Sequence, residues 1–235
     1  MKKPWLIIMM KTVDSFDAEI KKAYGKKSIV DGITNMSKYK KAYPKILWIL
    51  KEANKSHTDN PDENQRDFHA NVTCYKMWKL TFKRIISCSY GIIYKKKRLN
   101  VDENACINGV NVMLDIALIN VNKCGGGSRS NNSSISAKYN KYKDVILAQI
   151  EQINPDVIIN CSRVWNLTTD LREQFGLNGE IKKRNARVYC NNEKVLIDYY
   201  HPNSTRDSQG GLTDERYYNV VVGTYKKWKM MPPIK

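Results

Sequence analysis

Residues 195–206, Val195-Leu196-Ile197-Asp198-Tyr199-Tyr200-His201-Pro202-Asn203-Ser204-Thr205-Arg206, decide the fold. An apolar run stops abruptly at His201. Pro202, which fixes φ and has no N–H, forces a turn, and small hydroxyl residues and an arginine follow. The pattern reads as a strand followed by a site. Three earlier apolar runs also finish on polar groups: 46–50 before Lys51 and Glu52, 116–119 before Asn120, and 157–159 before Asn160. An apolar run without alternation suits a strand buried on both faces, as in parallel sheets. Ligands of such sheets bind outside the carboxyl ends of the strands. Helical periodicities lie between the runs. The alternation predicts an α/β fold: three layers, α/β/α, with a central four-stranded, mainly parallel sheet and right-handed crossovers.

At 235 residues the chain is expected to form a single domain over 1–235, with 1–44 as a helical extension packed on the sheet. No apolar stretch approaches the roughly 18 residues needed to cross a bilayer. Residues 5–10 are too short, and lack a following small-residue cleavage site, to be a signal peptide. A cytoplasmic location without membrane contact is expected. Lysine and arginine total 40 against 23 acids, a net charge of +17. Such an excess favours a polyanionic partner, chiefly nucleic acid; the alternative is a lysine-rich chain kept soluble by charge. The cysteines (74, 88, 106, 124, 161, 190) include no C-x-x-C pair, which argues against a zinc ribbon or a compact iron–sulfur site. His57, His69 and Cys74 are too irregularly spaced for a metal centre. No metal and no cofactor are expected.

Taken in order, Phe16, Ile20 and Tyr24 recur at helical spacing, predicting an amphipathic helix near 13–24. A polar stretch from Lys51 to Phe68 follows the first apolar run; long loops of this kind are often functional. Residues 70–89 carry a helical pattern. The run Lys95-Lys96-Lys97-Arg98 is either a solvated turn or a phosphate-tracking patch. Further helices are expected at about 102–112, 139–153, 163–174 and 213–228, with an edge strand at Val188-Tyr189. Gly125-Gly126-Gly127 with Ser128 and Arg129 follows the second strand. It reads as a loop whose bare backbone contacts phosphate or as a flexible linker.

The strand ends bring together Glu52, Asn120 and His201, with Ser204 and the glycine stretch nearby. A carboxylate can activate a water. An amide offers a donor and an acceptor to a base edge. A histidine can donate to an oxygen gaining negative charge. This set suits hydrolysis of a bond whose leaving group is a heterocyclic anion. In DNA that is the N-glycosidic bond, reached by extruding the base.

The same residues resemble the uracil-DNA glycosylase superfamily. Its first motif has the form G-[QEIM]-[DAN]-P-[YG], and Lys51-Glu52-Ala53-Asn54-Lys55 stands at that place. Ile119-Asn120-Val121-Asn122-Lys123-Cys124 is similar to the "TNVVKC" segment of the thermostable branch. "IEQINPDVII" at 150–159 resembles that branch's helix-to-strand passage, and His201-Pro202-Asn203-Ser204 matches the last motif. The resemblance runs from about Lys45 to Trp228. It implies a monofunctional DNA glycosylase acting in repair or anti-phage defence, a monomer on double- or single-stranded DNA. Glu52 matches the water-activating acid, with Asn54 beside it in the catalytic set. Asn120 matches the base-reading amide and His201 the residue facing the base carbonyl. Phe68 is the candidate stacking ring, with Lys51 and Asn203 as further substrate contacts. Lys123, Gly125, Gly126, Ser128, Arg129, Ser204, Thr205 and Arg206 are the implied DNA contacts.

The chain departs from the family at Lys51 and Asn54, which replace glycine and proline, and at Asn203, where serine or alanine is usual. The thermostable branch's iron–sulfur ligands are missing apart from a lone match at Cys124. No lysine is assigned to attack the sugar, so lyase activity is not expected. Glu52 could instead be a surface acid paired with Lys51 or Lys55, Asn120 a turn cap, and Phe68 a core residue. The alternative function is a catalytically silent nucleic-acid-binding protein on the same scaffold.

Overall fold

Four of the apolar runs become parallel neighbours because each can bury both of its faces. In the computed structural model, which describes residues 13–26, 28–54, 65–71, 79–102, 104–126, 130–208 and 210–234, the first element is helix α1 (Val13–Tyr24). It is followed by strand β1 (Gly32–Ile33), helix α2 (Met36–Lys41), strand β2 (Ile46–Asn54), helices α3 (Gln65–Ala70) and α4 (Lys79–Ile93), and strand β3 (Ala117–Gly126). Then come helix α5 (Asn132–Ile153), strand β4 (Val157–Asn160), helix α6 (Trp165–Phe175), and strands β5 (Gly179–Glu180), β6 (Arg187–Cys190) and β7 (Val195–Asp198). A small hairpin, β8 (Arg206–Asp207) with β9 (Gly210–Gly211), precedes helix α7 (Asp214–Lys229).

The main sheet has the order β1-β3-β2-β4-β7-β6-β5. Its four central strands, β3, β2, β4 and β7, are parallel, as the apolar runs implied. The expectation of four strands is corrected to seven: antiparallel β1 closes one edge and antiparallel β6 and β5 the other. Of these, β6 meets the expectation of a strand at Val188-Tyr189, whereas β1 and β5, of two residues each, are too short to stand out as apolar runs.

Alternation along each strand separates two cores. Trp48, Leu50, Leu118, Ile159 and Ile197 face α4 and α7. Leu47, Ile49, Ile119, Ile158 and Leu196 face α5 and α6. Gly91 lets α4 lie hard against α7, since a Cβ there would collide with the Tyr218 ring. Helix α1 packs outside α5, with Tyr24 and Tyr142 stacked at 3.8 Å.

Helix ends follow local chemistry. The Asn131 side chain accepts the Ser133 N–H at 2.9 Å and starts α5, which ends on left-handed Asn154 before Pro155. Thr213 caps α7, with Asp214 and Glu215 in its first turn and Lys226, Lys227 and Lys229 in its last, as the helix dipole favours.

Several expected boundaries move. The helix expected at 102–112 is absent: the Asp102 carboxylate accepts the Asn104 and Cys106 N–H groups at 3.0 and 2.8 Å, and left-handed Asn108 and Gly109 make a tight turn. The helix expected from 139 begins at Asn132. The pattern over 70–89 divides between α3 and α4, with Val72, Tyr75 and Trp78 outside the described residues. No described helix is long and apolar enough to cross a membrane.

The free edge of β3 is held by a buried charge pair. Beyond Leu118 the strand loses β1 as a partner. The Asp31 carboxylate takes over: it accepts the Asn120 backbone N–H at 2.7 Å and the Lys123 ammonium at 2.6 Å. The Gln149 amide donates to the same carboxylate at 3.1 Å. The Ile29 N–H reaches the Lys123 carbonyl at 2.7 Å, and the Tyr24 hydroxyl the Val121 carbonyl at 3.0 Å. Asp31 and Lys123 are both 0% exposed. Removing one member of such a pair strands the other, at about 3–5 kcal/mol. Asp31→Ala is therefore expected to lower the unfolding free energy by about 3–5 kcal/mol in urea titrations; a loss below about 1 kcal/mol would show that the pair does not hold the edge.

Candidate functional site

The crossover from β2 to β3 runs over one face through α4, and that from β3 to β4 returns over the other through α5. The topology therefore reverses between β2 and β4, the position where open α/β sheets form a crevice. Strand length deepens it. The last bond from β4 to β2 is the Cys161 N–H to the Ile49 carbonyl at 2.8 Å. There the chain turns away at Ser162, while β2 continues to Asn54. Lys51 and Glu52 thus overhang the end of β4. Across the gap, the Tyr199 N–H bonds the Asn160 carbonyl at 3.0 Å, and the chain runs on to His201.

Glu52 continues the Trp48–Leu50 face of β2, and Asn120 and Asn122 continue the Leu118 face of β3. The register sets Leu50 beside Asn120 and Glu52 beside Asn122. Asn122 Nδ2 donates to Glu52 Oε2 at 2.9 Å and to the Gly125 carbonyl at 3.2 Å. Its Oδ1 accepts the Cys124 N–H at 3.1 Å. Among the described residues, Glu52 Oε1 has no hydrogen-bond partner and neither has the Asn120 side-chain amide, although Asn120 is only 3% exposed. Gly126 is required here by space: a Cβ would occupy the Glu52 carboxyl group.

His201 has a defined tautomer. The Asn203 N–H donates to its Nδ1 at 3.1 Å, so Nε2 carries the proton of the neutral ring. The Ser204 N–H closes the turn on the His201 carbonyl at 2.8 Å. Burial, then repulsion from Lys51, lowers the imidazole to about 4. The ring is therefore a neutral donor at physiological pH. Lys51 is half-buried and has no acid within ion-pair distance among the described residues. Burial, then Arg163, pushes its ammonium below the ordinary lysine range, with Glu52 opposing. Arg163 takes a left-handed backbone (φ 65°) and lays its guanidinium over Tyr200 at 4.7 Å.

Sequence reasoning missed three residues that build this site. Arg84, 3% exposed, donates to the Pro202 and Ser204 carbonyls at 3.0 and 2.6 Å and to the Leu212 carbonyl. Its Nε bonds Asp214 at 2.9 Å, so one guanidinium shapes the whole turn after His201. The signal was present: Arg84 interrupts the helical row Leu80, Arg84, Cys88 with a charge. Asn122 was read as part of a motif without a role. Arg163 had no signal beyond its place after a strand.

Some candidates fall elsewhere. Lys123, expected on DNA, is fully buried against Asp31 and belongs to the frame. Gly125 and Gly126, expected in a phosphate-contacting loop, are the end of β3 and pack on Asn122 and Glu52. Asn160 spends its amide locally, accepting from the Ser162 N–H and hydroxyl at 3.1 and 2.7 Å and donating to Thr168 at 3.0 Å. Phe68 sits in α3, half-buried, its ring edge-on to Phe82 at 6.0 Å. Asn203, Thr205 and Arg206 are exposed around the His201 turn and β8, and Ser204 is half-buried there. Ser128, Arg129, His57, Cys74 and the Asn54 side chain lie outside what is described. Among the described residues no group of histidine, cysteine and acid side chains could hold a metal. Set against models of known families and against curated proteins, the sequence matches none.

The histidine geometry has a measurable consequence. An unfolded histidine takes a proton near 6.5, whereas folded His201 resists until about 4. The folded state therefore binds fewer protons between these values, and this group lowers stability as pH falls from 6.5 toward 4. NMR of the imidazole nitrogens, assigned by loss of the signal in His201→Gln, should show the Nε2–H tautomer at pH 7 and titration near 4. A His201 signal that titrates near 6.5 would contradict the half-buried, backbone-bonded ring.

Proposed function

We propose that the chain is a DNA glycosylase that extrudes a damaged or modified base, uracil or a modified cytosine, and hydrolyses its N-glycosidic bond. Glu52 is the residue that supports this most. Its carboxylate is anchored through one oxygen by Asn122, leaving the other free to orient and deprotonate a water. The acid stands at the topological switch point, and the strand register puts Asn120 on the neighbouring strand one step before it on the same face.

Each group has a defined task. The Asn120 amide, with a donor and an acceptor to spare, reads the edge of the extruded base. His201 donates its Nε2 proton as a hydrogen bond to the base oxygen that gains charge as the bond breaks. The hydrogen bond strengthens as charge develops, so it favours the transition state over the ground state. Glu52 also faces the sugar as its positive charge grows, and the water it holds completes the displacement. The exposed Thr205 and Arg206 and the overall charge of +17 hold the DNA backbone. A role in repair or in defence against phages with modified DNA is consistent with either substrate.

The test uses end-labelled duplexes and single strands carrying uracil, hypoxanthine, mismatched thymine or modified cytosines, with abasic sites then cleaved by alkali. Base release from one of these is expected from the wild type. Glu52→Gln should slow it by about 10²- to 10⁴-fold, and His201→Ala by about 10²- to 10³-fold. DNA binding without release from any of these bases would overturn the enzymatic reading and favour a silent binding protein.

A further inference from the structure

The chain carries 30 lysines but only 10 arginines, and four of the arginines, Arg163, Arg184, Arg187 and Arg206, are exposed on one surface beside the His201 turn. A run of contacts joins them. The Arg163 guanidinium lies over the Tyr200 ring at 4.7 Å, and the Tyr200 hydroxyl accepts the Ser208 N–H at 3.2 Å. The Ser208 hydroxyl donates to Asn185 Oδ1 at 2.6 Å, and Asn185 Nδ2 donates to Asp207 at 3.2 Å. These bonds seat the 183–186 turn, which carries Arg184, against the hairpin that carries Arg206. Arg187, next along the chain, stands beside Asp198 in the β6–β7 register and pairs with it at 2.9 Å. Its guanidinium also lies over the Trp165 ring, 4.2 Å from the centroid. Trp165 opens α6 and keeps 48% of its surface in solvent, whereas Leu167 and Leu171 of the same helix are buried. The acids beneath are already engaged: the Asp198 and Asp207 side chains are 2% and 0% exposed, and each is ion-paired with an arginine. Solubility alone is served by lysine, which the rest of the chain uses. A planar guanidinium adds two things that an ammonium lacks: it stacks on aromatic planes, and it grips phosphate through paired N–H donors.

We propose that this surface binds single-stranded DNA: an unpaired base stacks on Trp165, and Arg163, Arg184 and Arg206 contact phosphates of the same strand. Arg187, tied down by Asp198, sets the plane of the indole ring. Every base has a face to offer such a ring, so the contact needs no particular sequence. In a duplex those faces are covered by neighbouring base pairs, and the indole gains a partner only where the stack is opened. The surface therefore gives the chain a preference for unpaired strands. The inference deepens the glycosylase reading and takes from it only the choice of DNA over other polyanions. Tyr200 is followed directly by His201, so a strand held over Tyr200 leads to the turn that carries the imidazole.

The test measures fluorescence anisotropy of a short labelled oligothymidylate, alone and paired with oligodeoxyadenylate, against the full-length chain at fixed salt. The single strand should bind more tightly than the duplex. Trp165→Ala should weaken single-strand binding by about 5- to 100-fold, the range for losing one base–aromatic stack, and Trp165→Phe should restore part of it. Duplex binding should change by less than about twofold in either variant, which a general loss of charge or of folding would not reproduce. Ultraviolet crosslinking of oligothymidylate to the wild type, with peptide mass spectrometry, should place the attached thymine on Trp165, and this decides the question even where a variant does not fold. Equal binding of duplex, an unchanged single-strand affinity in Trp165→Ala, or a crosslink confined to another surface would overturn the proposal. Tighter binding of oligouridylate RNA would overturn the choice of DNA. The probe carries no damaged base, so the result is read apart from base release. Release from a damaged base without stacking on Trp165 would leave the glycosylase reading standing and end this one; stacking without release from any base would do the reverse.

Discussion

The structure depends on how the free edge of β3 is finished. A strand edge presents unpaired N–H and C=O groups that must be satisfied or covered. Here β1 pairs only as far as Leu118. The Asp31 carboxylate then stands in for a strand, binding the Asn120 N–H and the Lys123 ammonium together. Burying two charges is costly unless each is neutralised and hydrogen-bonded. Both conditions are met, with Gln149 supplying a further donor. The consequence reaches the other side of the same strand. A β3 backbone fixed from Asn120 to Lys123 fixes Asn122, and Asn122 in turn holds Glu52. A hydrophobic pair at Asp31 and Lys123 would leave the Asn120 N–H without the carboxylate that now accepts it.

The second constraint is unequal strand length. Strand β2 spans Ile46–Asn54, whereas β4 spans Val157–Asn160. The longer strand carries Lys51 and Glu52 past its neighbour and leaves a gap over the end of β4. Arg84, reaching from α4 to three carbonyls of the turn, makes that turn a rigid wall. Such preorganisation is what electrostatic stabilisation of a departing anion requires. Asn54 is still strand, paired with Gly126 across a register shift, so the ladder holds this segment to its end.

Much of this was legible in the sequence. The parallel centre of the sheet followed from uninterrupted apolar runs, because burial on both faces leaves no alternation. The carboxyl-end residues followed from where those runs stop. In this way Glu52 was legible near the end of β2 and His201 just after β7, whereas Asn120, expected at a strand end, lies within β3. The errors have physical causes. Residues 120–126 look like a loop because asparagine, lysine and glycine are poor strand formers. Tertiary pairing with β2 overrides that preference, and buried partners satisfy the polar side chains. Lys123 looked like a phosphate contact because a lysine's partner, here Asp31 far back in the chain, is invisible in a local reading. The two-residue strands β1 and β5 carry too few apolar residues to register, whereas Val188-Tyr189 marked β6.

The most direct measurement is a crystal structure of the chain bound to a duplex carrying a tetrahydrofuran abasic-site analogue. The expected result is an extruded sugar in the crevice between β2 and β4, with its anomeric position facing Glu52 and with His201 Nε2 lining the space a base would fill. DNA seated on another face, for instance along Lys95–Arg98, with the crevice unoccupied, would contradict the proposal that these strand ends form one site.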